Sequence, residues 1–169
     1  MNERKHGMIV ICLRISLILI CILGVAICAL AYPFQVSLTA IGVPSGERVP
    51  PTIEQYIEYW VQLSFYWIAS IPCFLILLFG WNISSEIKKG NAFSMKVSKK
   101  LNTSAQILFV DSMLYLAAQL VFTMLDWNPF VPILSIVGLI GLILSFVLYL
   151  AARYVREAAK IKEENEAYV

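Results

Sequence analysis

Two charged residues sit inside long apolar stretches of this chain, Arg14 in ICLRISLIL and Asp111 in LFVDSMLYL, and residues so placed are where chemistry within a membrane would begin. A lone charge near the centre of a bilayer costs about 2.5–3.5 kcal/mol on insertion scales, so such groups pair, reach the surface, or line a polar path. Counted from the basic ends of their segments, both residues are about 9–10 Å deep at 1.5 Å per residue. That spacing predicts an Arg14–Asp111 ion pair between the first and third apolar segments. Two other readings stay open. In one, Arg14 snorkels to the headgroups while Asp111 bonds to Tyr115 or water. In the other, the pair forms a proton- or ion-sensitive site.

The residues around Asp111 have helical spacing. Ser104, Asp111, Tyr115 and Gln119 follow at intervals of seven, four and four, and form a polar stripe on one face. Arg14, Cys21 and Cys28 recur at sevens, with Gly24 close by, and Ser135, Gly138, Gly141 and Ser145 form a run of small residues in the last apolar segment. Small residues at such spacing let helix backbones approach, which is how helices pack where there is no hydrophobic drive. Other chemistry lacks material. The single histidine, His6, lies in the amino-terminal tail, and the cysteines at 12, 21, 28 and 73 form no CxxC pair and read as small packing residues. No Gly-rich phosphate loop, GxSxG or HExxH is present, so neither an enzyme, nor a metal site, nor a cofactor is expected.

These residues are positioned by a chain that is 60% hydrophobic and only 14% charged, far from the soluble norm. Four stretches are long enough to cross a hydrocarbon core of about 30 Å: 8–32, 59–81, 104–125 and 130–152. Within hydrocarbon every backbone amide needs an internal partner, so these are helices. The expected fold is an all-α integral membrane protein, a four-transmembrane-helix bundle forming one domain over 1–169. Orientation follows from Lys and Arg, which stay on the cytoplasmic side of short loops. Arg4 and Lys5, then Lys88, Lys89, Lys96, Lys99 and Lys100, then Arg153, Arg156, Lys160 and Lys162 all fall on one side. Both termini, the loop 82–103 and the tail 153–169 are therefore expected in the cytoplasm, and the segment 33–58 outside, in a multi-pass plasma-membrane protein. An Ala29-Leu30-Ala31 triplet is of the signal-peptidase type, but Pro33 and the apolar run before Arg14 favour an uncleaved anchor.

Punctuation residues refine this plan. The external segment carries prolines at 33, 44, 50 and 51, which break regular structure, whereas Thr52 and Gln55 have capping-box spacing and start the second helix near Ile53. Tyr56, Tyr59, Trp60, Tyr66 and Trp67 read as an aromatic belt at one interface and Trp81 at the other. Pro72, mid-span, predicts a kink. In the basic loop, Gly90-Asn91 reads as a helix stop and Ser94 as an N-cap, so the third helix should start near Met95. Its lysines read either as topology enforcement against anionic headgroups or as a docking surface for a cytoplasmic protein. Nucleic acid is disfavoured, because Phe93 alone offers no stacking array. The tail after 152 continues the fourth helix, with Arg153, Glu157 and Lys160 at pairing distances.

The turn "IKKGNAFSMKVSKKL", with Gly90, Phe93, Ser94, Lys99, Lys100 and Leu101, resembles the signature of a bacterial four-span membrane family, domain of unknown function 2975. The layout matches over most of the chain. Ala92 and Lys100 stand where that family more usually has Pro and Arg. The resemblance implies no activity. It does imply a partner, since such proteins are often encoded beside small helix-turn-helix regulators. Taken together, the expectation is a non-enzymatic interaction, regulatory or immunity-type accessory protein acting through its basic cytoplasmic face. The alternative is a small transporter or channel component centred on Asp111. The bilayer, a cytoplasmic regulator and a second copy of the chain are the partners to weigh.

Overall fold

The computed structural model describes residues 8, 10–26, 52–127 and 131–167, with side chains except at 55, 131–134, 166 and 167. These residues form four helices and, among them, no strand: α1 (Val10–Ala26), α2 (Ile53–Lys88), α3 (Met95–Met124) and α4 (Val131–Ala167). The last three are long and apolar enough to cross a membrane, and α1 is a shorter apolar helix. At 36, 30 and 37 residues, α2, α3 and α4 each exceed the roughly 20 residues a bilayer core requires, so their ends project from it. The second helix starts at Ile53 and the third at Met95, where the capping signals put them. Pro72 lies inside α2. The triplet at 29–31 and most of the segment 33–58 lie outside the described residues.

Neighbouring helices run antiparallel. Leu17 abuts Gly80 while Arg14 meets Ser84, Cys73 meets Asp111, and Ser98 meets Ala152 while Tyr115 and Leu116 abut Gly138. The tightest pair is α3 with α4, and its cause is a seven-residue repeat. On α3 the residues Ser98, Ala105, Ser112 and Gln119 are all buried; on α4 so are Gly138, Ser145, Ala152 and Ala159. Between them, at the second seam position of each heptad, lie larger side chains such as Leu101, Leu108, Tyr115 and Leu148. Small residues at one seam position and bulky ones at the other bring two backbones close in a left-handed supercoil. Apart from this seam, most apolar side chains of α1 to α4 are exposed, as in a protein whose solvent is lipid.

Both ends of α3 are closed by capping motifs. At its start Ser94 is extended (φ −132°, ψ 151°) and accepts a bond from the Val97 amide at 3.3 Å. At its end Asp126 has φ +54°, its amide donates to Thr123 O at 3.1 Å, and the Trp127 amide donates to Phe122 O at 3.0 Å. This is a Schellman turn, with the Phe122 and Trp127 rings stacked 6.1 Å apart as its apolar contact. An L-residue in the left-handed region is strained, though Asp tolerates it better than most. Asp126→Gly should therefore raise stability by about 0.5 kcal/mol, and Asp126→Val should lower it by about 1–2 kcal/mol, in thermal unfolding of the detergent-solubilised protein.

Candidate functional site

Seen from the side chains up, the intramembrane charges part company. Arg14 donates from Nε to Ser84 Oγ at 3.3 Å and from Nη2 to Ser85 Oγ at 3.1 Å, and its Cζ lies 4.8 Å over the Trp81 ring. Asp111 is half-buried and accepts from the Cys73 thiol, Sγ to Oδ2, at 3.8 Å. The expected Arg14–Asp111 ion pair is not formed. Its failure is one of depth, because α3 begins at Met95, well before the apolar run that set the count. Asp111 is level with Cys73, and from there to Ser84 α2 rises roughly 16 Å. Arg14 belongs to the basic end of the molecule and Asp111 to its middle.

The polar stripe divides in the same way. Gln119 lies in the α3–α4 seam, fully buried, with neither amide atom hydrogen-bonded. Tyr115 is half-buried, its ring 6.0 Å from Phe65 and 6.3 Å from Tyr66 of α2. Ser104, buried, stands one position before the seam residue Ala105, and the half-buried Asp111 one position before Ser112. A strict heptad therefore splits what looked like one face into a seam row and a flanking row. Of the cysteines read as small packing residues, Cys12 and Cys73 are exposed and Cys21 is half-buried. Cys28 lies outside the described residues.

The basic turn is the best-organised polar region. Gly90 has φ +81°, its amide donates to Ile87 O at 3.0 Å, and the Asn91 amide donates to Glu86 O at 3.0 Å, giving a second Schellman turn. Glu86, buried, then anchors the lysines: Lys96 Nζ lies 3.1 Å and Lys89 Nζ 3.7 Å from its Oε1. Ion pairs with such exposed lysines are weak because solvent screens them, so Glu86 orients the turn more than it holds the fold. Lys88 and Lys99 are exposed without an ion pair among the described residues, and Lys100 and Leu101 are half-buried. Phe93 is 59% exposed at the tip, while Val97 is buried at 2%. Farther along α4, Arg153 pairs with Glu157 at 3.5 Å.

Glu86, Ser84 and Ser85 were not singled out by sequence reasoning, and Cys73 was read only as a packing residue. A glutamate ten residues before a lysine across a turn carries no motif. The signal that could have found it is geometric: once Gly90 and Ser94 are accepted as stop and start, Glu86 and Lys96 must face each other across the hairpin.

No curated protein and no solved structure matches the chain. The family model described as Protein of unknown function (DUF2975) matches residues 8–169, which takes in all four helices and the turn that holds Gly90, Phe93, Ser94 and Leu101. Within that match Gly90 stops α2 and Ser94 starts α3, and on this match the chain belongs to the DUF2975 family.

Proposed function

We propose that this chain is a non-enzymatic, multi-pass plasma-membrane protein with both ends and the α2–α3 turn in the cytoplasm, and that it works by holding a cytoplasmic protein on that turn. The observation that carries the reading is the turn itself. A left-handed glycine fixes one side and an N-cap serine the other, and between them an exposed Phe93 stands among Lys88, Lys89, Lys96 and Lys99. An aromatic anchor in a basic rim has the make-up of a protein interface, with the apolar group supplying energy and the charges supplying steering. A partner that presents an acidic, apolar surface fits it.

The test is photo-crosslinking in living cells from an aromatic photoreactive residue at position 93. Capture of one discrete cytoplasmic protein is expected. That capture should vanish when Lys96, Lys99 and Lys100 are all changed to Gln, and should survive Asp111→Asn. Capture of lipid alone would overturn the reading, and loss of capture on Asp111→Asn would favour the rival transporter centred on Asp111.

A further inference from the structure

At the seam of α1 and α2 lies a cluster that shares only Lys88 with the docking surface. Arg14 is half-buried, and its two engaged N–H groups go to hydroxyls, not to a carboxylate. Among the described residues no acid lies within ion-pair distance of it. A guanidinium has five N–H donors in a planar fork, so three remain for an anion. Ser84 is fully buried and closes the inner side, and Ser85 Oγ donates to Trp81 O at 3.1 Å, which leaves its lone pairs turned to the arginine. Trp81, Ser85 and Lys88 follow at intervals of four and three, and so share the stripe of α2 against which Arg14 lies.

We infer that Arg14 and Lys88, with Ser85 holding the guanidinium in place and Trp81 as its floor, bind the phosphate of an anionic glycerophospholipid at the α1–α2 seam. A fork-shaped arginine beside a lysine matches phosphate oxygens, and two cations with no acid paired to them among the described residues select a headgroup of net negative charge. The surroundings choose the source of that phosphate. Deeper in the membrane from Arg14, Ile18 and Ile22 of α1 and Leu78 of α2 are all exposed, an apolar track where acyl chains would run. A soluble anion gains nothing from that track. Trp81, itself exposed, sits where an indole partitions, at the glycerol level.

The experiment is native mass spectrometry of the full-length protein released from nanodiscs containing phosphatidylglycerol and phosphatidylcholine. The wild type should keep one phosphatidylglycerol through delipidation and no phosphatidylcholine. Arg14→Gln should lower that retention about tenfold, and Arg14→Lys should restore only part of it, since an ammonium lacks the fork. Lys99→Gln, at the turn, should leave it unchanged. If Arg14→Gln fails to fold, judged by circular dichroism, Lys88→Gln carries the test, because its exposed side chain supports no packing. Equal retention of both lipids, retention unaffected by the folded variants, or displacement of the lipid by millimolar inorganic phosphate would each overturn the inference.

Discussion

Gly141→Leu should destroy the packing of α3 on α4. A Cβ at Gly141 would collide with Ser112 Oγ and would lie 3.3 Å from Ser112 Cβ. Ser112 is buried and has little room to give. Overpacking of this kind costs about 1–3 kcal/mol for a few added atoms, and four added carbons belong at or beyond the top of that range. The expected result is a loss of about 3 kcal/mol, which is roughly 6–12 °C in a chain of this length. Gly141→Ala should lose about 1–2 kcal/mol, and Ser112→Ala in the same chain should recover most of it, because removing Oγ removes the collision. Gly138→Ala is a useful contrast. Its Cβ would press on Leu116 Cδ2 and Cγ, both at 2.7 Å, with Tyr115 Cδ1 at 3.2 Å, so it too is crowded, but by apolar side chains rather than by a buried hydroxyl. If Gly141→Leu unfolded at the wild-type temperature, the close α3–α4 seam would be wrong.

That seam was half legible beforehand. Gly138, Gly141 and Ser145 stand out in an apolar segment because lipid-facing positions have no need of small residues. Their partners on α3 were harder to see, since Ser104, Asp111, Tyr115 and Gln119 read as one stripe at a period of 3.6. A supercoiled pair keeps a period of 3.5, and over three heptads that difference turns the face by roughly 60°. The buried row is thus Ser98, Ala105, Ser112 and Gln119, with Asp111 beside it. Gly90 and Ser94 transferred without error, because a left-handed glycine and an N-cap serine act through local backbone geometry. Arg14 did not, because its neighbours Ser84 and Ser85 lie some seventy residues away and no local rule connects them.

Gly90→Val tests the turn and the proposed function together. At φ +81° a β-branched residue clashes with its own backbone, and the strain costs about 2 kcal/mol, or roughly 4–8 °C in thermal unfolding. Nothing lies within 4 Å of a Cβ placed there, so the penalty is one of backbone conformation and not of packing. Gly90→Asn, which tolerates the left-handed region, should recover more than half of it. The relief the valine variant finds is to abandon the left-handed turn, which breaks the Gly90 and Asn91 amide bonds to Ile87 and Glu86. Glu86 then no longer faces Lys96, and Phe93 loses the orientation that the two caps impose. Crosslinking from position 93 should fall with the valine variant and persist with the asparagine variant, whereas Asp126→Gly, at the far end of α3, should leave it untouched. A valine variant that loses stability yet still captures the same protein would mean that the lysines alone recruit the partner and that the fixed turn serves only the fold.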